Sequence, residues 1–146
     1  MLTLQQLSDR AEIQDLMTRY AYAIDDRNWH GLDQIFTPDA IIDYSDVGGP
    51  VGTVDEIKTF LAEAMAGFSA FQHLSTTSEI IINGNQARAR TILFNPMVMN
   101  HEGQERVFFI GLWYQDELTL TSQGWRIQHR REQKSWAYNQ PAAMLP

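Results

Sequence analysis

Four polar side chains stand among apolar neighbours and have the chemistry to move protons. Asp25 directly follows Ile24, and Tyr20 lies five residues earlier, a little over one helical turn, so the two can approach each other on a helix. Tyr44 follows a β-branched run, and His73 lies between aromatic and aliphatic neighbours. We take these four residues as the candidate catalytic set.

A histidine near a carboxylate inside an apolar cavity is a candidate general base. Imidazole titrates near pH 6.5, and a carboxylate partner fixes its tautomer and stabilises the imidazolium. A tyrosine hydroxyl can then donate to a carbonyl or leaving oxygen. Together these groups suit proton abstraction followed by elimination or double-bond migration, which requires no cofactor.

The sequence lacks the residues that several other kinds of catalytic or binding site require. The chain has no cysteine, which excludes disulfides, thiolate nucleophiles and cysteine–zinc sites. The glycine-rich stretch 48–52 lacks the lysine of a phosphate-binding loop, and no G-x-S-x-G motif is present. No two histidines have the i, i+4 spacing of a helical metal pair, so we predict no metal site.

Composition indicates one domain spanning residues 1–146. A chain of 146 residues and 16.8 kDa with 44% hydrophobic residues can bury one core. The net charge of −7 argues against binding to nucleic acid or anionic lipid. The N-terminal residues lack a signal-peptide core, and no run approaches the ~18 apolar residues of a membrane span. We therefore expect a soluble cytoplasmic protein.

The residue pattern predicts helices in the first half of the chain and strands in the second. Thr3 and Gln6 predict a capping box for a helix that ends at Asp25, and Thr53 and Glu56 predict one for a helix reaching Met65. The other predicted elements are a short helix over 28–36, strands over 40–44, 76–82, 86–99, 106–117 and 125–135, and an apolar tail over 136–146. Asn83-Gly84 predicts a hairpin turn between the second and third strands.

This order of elements predicts an α+β fold. We expect a strongly curved, mostly antiparallel sheet that wraps around the N-terminal helices as a cone with an apolar interior. The apolar tail and the sparsely charged surface predict a homo-oligomer, either a dimer or a trimer.

The sequence resembles the SnoaL-like branch of the nuclear-transport-factor-2-like superfamily over essentially its whole length. The residues that carry the resemblance are Tyr20–Trp29, Phe36–Ala40 with Asp43-Tyr44, Gln72-His73, Gly111–Asp116 and Gly124–Ile127. Within that superfamily the pattern is similar to three cofactor-free lyases: the scytalone dehydratases, the bile-acid 7α-dehydratases and the hexachlorocyclohexane dehydrochlorinases.

The resemblance implies a role for each candidate residue. Asp25 takes the place of the lyases' aspartate and His73 that of their catalytic histidine. Tyr44 matches a substrate-binding tyrosine of the scytalone dehydratases, and Tyr20 resembles the active-site tyrosine of the bile-acid enzymes. The chain departs from scytalone dehydratases at Met97, where they have a second histidine.

Each candidate also has a purely structural interpretation. Asp25 could cap the short helix that follows, although Asp26 is one residue nearer to it. Tyr20 and Tyr44 could be ordinary core tyrosines. The basic run around His129 is more typical of a solvated strand face than of a binding site for an acidic group.

The resemblance and the candidate set together predict a dehydratase-type lyase acting on a small hydrophobic cyclic molecule. We expect Met97, Phe60, Phe94 and Trp113 to line its cavity. Two alternatives remain: a ketosteroid-isomerase-like isomerase, which would need a second carboxylate in the cavity, and a non-catalytic binding or oligomerisation module similar to dioxygenase β subunits. In the module, Asp25 and His73 would not share a cavity.

Overall fold

The structure, a computed structural model, describes residues 1–144. Its helices and strands are α1 (Leu4–Asp25), β1 (Phe36–Asp43), β2 (Val51–Thr53), α2 (Val54–Ala64), β3 (Phe68–Phe71), β4 (Leu74–Asn83), β5 (Gln86–His101), β6 (Gln104–Thr121) and β7 (Gly124–Tyr138). Short 3-10 helices span Trp29–Gln34, Ser45–Val47, Met65–Gly67 and Ala142–Met144. The α+β class is as predicted.

Both predicted capping boxes are present. The Thr3 hydroxyl accepts from the Gln6 amide, and the Gln6 side chain accepts from the Thr3 amide; Thr53 and Glu56 do the same for α2. The 3-10 helix after α1 is capped by neither aspartate that the sequence suggested. Instead Asn28 Oδ1 accepts from the amide of Gly31 at 3.3 Å, because its side chain lies three residues before that donor.

One curved sheet forms the body of the molecule, with strand order β2-β1-β7-β6-β5-β3 and β4 also paired to β5. Strands β1 and β7 are parallel, and every other pairing among these strands is antiparallel. Helix α1 packs against β4 and β7, and α2 packs against β1. The helices therefore cover one face of the sheet, as expected for a cone.

Strands β3 and β4 lie end to end along the same edge of β5. Strand β3 pairs with residues 97–99 and β4 with residues 86–94, so the chain breaks its pairing between the two, at Gln72 and His73. Pro96 stands opposite this break, and its carbonyl accepts the Gln72 amide at 3.1 Å. Because proline has no N–H to donate to a neighbouring strand, the hydrogen bonding along this edge of β5 is interrupted at Pro96, opposite Gln72 and His73.

Alternation along the strands defines the two faces of the sheet. On β5 the buried positions are odd-numbered from Ala87 to Met97, and on β6 they are even-numbered from Phe108 to Leu118, with Gly111 buried in addition. In β7 the pattern changes phase at a register shift, where Leu118 pairs with Ile127 but Glu117 pairs with His129. The extra residue at this β-bulge turns Arg130 and Glu132 inward, and a second register shift, between Gly111 and Leu112 of β6, ends this phase before Trp136.

The structure differs from the sequence expectations in detail. Strands β2 and β3 were not predicted, because three or four residues carry too little alternation to recognise. The two-residue hairpin loop is Gly84-Asn85 rather than Asn83-Gly84, since Asn83 pairs with Gln86 and Gly84 has φ +60°.

The predicted tail begins within β7, which continues to Tyr138. Pro141 is buried, and Met144 lies at the cavity described below. The last two residues of the tail lie outside the described residues. Across residues 1–144, no helix combines the length and the apolar character that a bilayer crossing needs.

Candidate active site

A cavity of about 290 Å³ lies between the helices and the concave face of the sheet. Its polar lining side chains are Tyr20, Tyr44, His73, Asn95 and Glu132. The remaining lining is almost entirely apolar and includes Ile24, Phe60, Leu61, Met65, Phe68, Met97, Ile110, Leu112 and Met144. This volume lies just below the range of about 300–1,000 Å³ that is typical of ligand pockets, so the site suits a small, largely hydrophobic molecule.

The structure brings Asp25 and His73 into contact. Asp25 Oδ1 lies 2.7 Å from His73 Nδ1, and both carboxylate oxygens accept the His73 backbone N–H at 3.1 and 3.0 Å. The side chains are 21% and 9% exposed, respectively. An ionised Asp25 keeps the proton of the neutral imidazole on Nδ1, which leaves Nε2 with a lone pair at the cavity.

Asn95 is a polar residue of the site that the sequence analysis missed. Its side-chain Nδ2 donates to His73 Nε2 across 3.3 Å, and Asn95 is buried. Its Oδ1 has no hydrogen-bond partner among the described residues. The period of two along β5 could have found it, because Asn95 shares a face with Met97.

The hydroxyls of Tyr20 and Tyr44 form a short hydrogen bond at the cavity wall. Burial raises the pKa of Tyr20 to about 12, with the nearby Arg130 charge opposing this shift, and burial raises the pKa of Tyr44 well above its ordinary value. Both therefore remain protonated at neutral pH. Since one hydroxyl donates to the other, the pair keeps one O–H free to donate to a substrate oxygen.

Arg130 lies behind the two tyrosines and is completely buried, so the solvated strand face predicted for this run is wrong at that residue. It donates to Asp116 at 2.7 and 2.8 Å, and its guanidinium lies 4.1 Å from the ring centre of Tyr20 and 4.0 Å from that of Tyr114. Burial lowers the pKa of Arg130, but Asp116, Tyr20 and Tyr114 together raise it by more, so the net shift is upward. The bulge in β7 accounts for the error, because it places Arg130 on the inner face.

Glu132, two residues further along β7, also lies inside and was missed. It is 8% exposed and lines the cavity. Burial raises the pKa of its carboxyl to about 8; Arg130 opposes the rise, and Asp116 and Asp43 add to it. The Glu132 carboxyl is therefore largely protonated at neutral pH. Glu132 lies among other charged residues of its strand, so nothing in the sequence indicates that this glutamate is buried.

Two of the four predicted wall residues line the cavity and two do not. Met97 and Phe60 are at its surface. Phe94 and Trp113 belong to the opposite face, because successive residues of a strand point to opposite sides and their neighbours Asn95 and Leu112 point inward.

The two misplaced aromatic residues belong to the outer surface of the sheet. Phe94 stacks on Phe109 and on Trp136 with ring centres 5.6 and 6.0 Å apart, and Phe109 stacks on Tyr138 at 6.0 Å. We call Phe94, Phe109, Trp136 and Tyr138 the outer aromatic face. Trp113 lies apart from it, under the guanidinium of Arg90 at 4.3 Å.

No metal-binding cluster is found in the described part of the chain. Within residues 1–144, no three side chains of the types His, Cys, Asp and Glu are placed to hold one ion. The polar groups that line the cavity are the imidazole, the two hydroxyls, the carboxamide and the carboxyl already described.

Comparison with known proteins identifies the family. The model of the SnoaL-like domain matches residues 5–131. The chain belongs to the SnoaL-like domain family. An uncharacterized protein of Mycobacterium tuberculosis is 42% identical to this SnoaL-like chain over 134 residues, covering 92% of it and 90% of the relative.

Solved structures share the fold at low sequence identity. A candidate scytalone dehydratase from Novosphingobium aromaticivorans superimposes with a TM-score of 0.82 at 17% identity, covering 97% of this SnoaL-like chain and 93% of that one. A hexachlorocyclohexane dehydrochlorinase from Novosphingobium barchaimii gives 0.81 at 18%, with coverages of 95% and 94%. A nuclear-transport-factor-2-like protein from Salmonella enterica gives 0.73 at 20%, with coverages of 89% and 93%. The family model confirms the predicted SnoaL-like family, and these neighbours confirm the predicted fold.

Proposed function

We propose that this chain is a lyase that removes water from a small hydrophobic cyclic substrate without a cofactor. The observation that carries the proposal is the 2.7 Å contact between Asp25 and the Nδ1 of a histidine that borders a mostly apolar cavity. The fold shared with a candidate scytalone dehydratase and a hexachlorocyclohexane dehydrochlorinase agrees with it.

In the proposed reaction, His73 Nε2 takes a proton from a carbon next to a substrate carbonyl. Asp25 holds the ring in the required tautomer and stabilises the imidazolium that forms. The free hydroxyl of the Tyr20–Tyr44 pair donates to the carbonyl oxygen and so stabilises the developing enolate. The imidazolium then gives its proton to the departing hydroxyl, which leaves as water and restores the neutral base.

Asn95 supports this assignment by its position. Its Nδ2 donates to the lone pair of Nε2 when no substrate is bound, which holds the ring edge toward the cavity. A substrate C–H that reaches Nε2 replaces this long, weak contact. The unpartnered Oδ1 of Asn95 can accept from a substrate hydroxyl, which places the leaving group beside the imidazolium that protonates it.

The test is a screen of hydroxylated cyclic ketones for water loss, followed by the absorbance of the conjugated product. His73→Ala and Asp25→Asn are each expected to lower turnover by about 100-fold or more, the range of lost general-base catalysis. His101→Ala and Asp26→Asn are the matched controls, since both side chains are exposed. Turnover in His73→Ala equal to that of the unmodified chain would contradict the proposal, provided that circular dichroism shows both proteins folded.

An isomerase is the second candidate, and one observation favours it. The isomerase alternative requires a second carboxyl in the cavity, and Glu132 supplies one. The same base could return its proton to a different carbon of the enol and so move a double bond. A β,γ-unsaturated cyclic ketone without a hydroxyl distinguishes the two, because the isomerase converts it and a strict dehydratase does not.

Self-association and a cytoplasmic location stay predictions. For the predicted homo-oligomer, we propose the outer aromatic face as the surface that a second copy covers. Its four stacked rings include the exposed side chains of Trp136 and Tyr138. Arginines and glutamates also lie on one outer patch of the sheet, which offers both signs of charge for pairing between copies.

A further inference from the structure

Glu132 is a carboxyl group of the cavity that the reaction described above does not use. It projects from β7 on the same face as Arg130 and is paired across the sheet with Tyr114. Arg130, the positive charge that acts on it most strongly, forms its two short hydrogen bonds with Asp116 instead. Glu132 therefore lies near a buried cation without being that cation's ion-pair partner.

The surroundings of Glu132 favour a protonated carboxyl that can still ionise. The titratable and charged groups around it are Tyr20 from α1, Asp43 and Tyr44 from the end of β1, Tyr114 and Asp116 from β6, Arg130 from β7, and His73 on the wall of the same cavity. Burial and the two aspartates favour the neutral form, whereas Arg130 stabilises the carboxylate left after proton transfer. The resulting pKa of about 8 lies near working pH, where a general acid is most effective.

The register of the sheet places Glu132 and the His73 contact on opposite sides of the cavity. Asn95, which touches His73, pairs with Ile110 on β6, whereas Glu132 pairs with Tyr114 on the opposite edge of that strand. Four residues along a strand span about 13 Å, and two strand spacings add about 9.5 Å across. Both side chains line the same cavity, so a small substrate bound between them has His73 on one side and Glu132 on the other.

We propose that Glu132 is the acid partner of His73 and gives its proton to the carbonyl oxygen of the β-hydroxy ketone that His73 deprotonates. This inference rests on the proposed function and adds to it a further catalytic residue. The carbonyl oxygen accepts a hydrogen bond from the Tyr20–Tyr44 pair and the proton of Glu132, while His73 removes the proton from the α carbon.

The steps balance without any further reactant. Breaking the α C–H bond gives an enol, an imidazolium and a Glu132 carboxylate. The enol C=C electrons then form the new double bond between the α and β carbons as the carbonyl re-forms and the β C–O bond breaks. The imidazolium proton leaves with the hydroxyl as water, and the enol proton returns to Glu132.

The experiment uses 3-hydroxycyclohexanone in D₂O, followed by NMR, which records α-deuteration and loss of water in one sample. The proteins compared are the unmodified chain, Glu132→Gln and, as the matched control, Glu117→Gln, which removes an exposed carboxyl from neighbouring β6. Glu132→Gln keeps the size of the neutral group and one donor but cannot transfer a proton. We expect it to lower kcat about 100-fold and Glu117→Gln to leave kcat unchanged.

The pH profile is a second readout that needs no variant. The rate of the unmodified chain is expected to decline above about pH 8 as Glu132 loses its proton, and this decline is expected to disappear in Glu132→Gln. Equal kcat and an equal decline in both proteins would overturn the role of Glu132 and leave the proposed function standing. Absence of both deuteration and water loss in the unmodified chain would instead overturn the proposed function, and the role of Glu132 with it.

Discussion

The stability of this protein should depend on pH through Glu132, and Glu132→Gln isolates that dependence. Burial raises the carboxyl pKa from 4.5 to about 8 in the folded chain. An acid whose pKa is raised by folding binds more protons in the native state than in the unfolded state between those two pH values. The free energy of unfolding therefore decreases as pH rises through this window and is constant on either side.

The magnitude follows from the shift. Each unit of pKa difference is worth about 1.4 kcal/mol, so a shift of 3 to 4 units removes about 4 to 5 kcal/mol between pH 4.5 and pH 8. Glutamine resembles the protonated carboxyl in size and polarity but does not titrate. The two proteins are expected to be about equally stable at pH 5, and Glu132→Gln is expected to be more stable by several kcal/mol at pH 9.

Urea unfolding followed by tryptophan fluorescence at pH 5, 6, 7, 8 and 9 measures this difference. Other titrating groups are present in both proteins, so their contributions cancel when one free energy is subtracted from the other. Glu117→Gln serves as the control and is expected to differ from the unmodified chain by no more than about 0.5 kcal/mol at each pH. A difference between Glu132→Gln and the unmodified chain that is constant with pH, or that favours the unmodified chain at pH 9, would refute the reasoning.

Three further predictions concern packing and assembly. Asp116→Asn leaves the Arg130 guanidinium buried without its ion-pair partner, so we expect the free energy of unfolding in urea to fall by about 3 to 5 kcal/mol. Adding Arg130→Met to Asp116→Asn should recover much of that loss. An equal loss in the single and the double variant would contradict this expectation. Thr53→Ala removes the capping hydroxyl of α2 and should lower the free energy of unfolding by about 1 kcal/mol, measured in the same way. Light scattering should give a mass two or three times 16.8 kDa, and Trp136→Ser should reduce it; a single-chain mass for the unmodified protein would disprove the predicted oligomer.

The residues that could be predicted from the sequence depend on local interactions. The capping boxes at Thr3 and Thr53 involve residues three positions apart, so their chemistry is complete within a few residues of chain. Asp25 and His73 were found because the motifs around them resemble those of a family. Their 2.7 Å contact joins residues 48 positions apart, and no spacing in the sequence encodes such a distance.

Alternation alone could have corrected part of the predicted cavity wall. Met97 and Phe94 are an odd number of residues apart on one uninterrupted strand, so they could not both face inward. The same rule selects Asn95 once Met97 is placed inside. What alternation could not supply was which of the two faces is covered by the helices, because that depends on how the whole sheet curves.

The sequence by itself determined the order of helices and strands, the caps and the family, because each depends on neighbouring residues or on a linear motif. Only the tertiary structure decided that Arg130 and Glu132 are buried. A single additional residue in β7 reverses the faces of the residues that follow it, as far as the second register shift at Gly111 and Leu112, and this bulge exists only in the pairing of β7 with β6. Strand register therefore places Glu132 in the cavity. Its pKa is raised because the surrounding strands and helices exclude water from the carboxyl group.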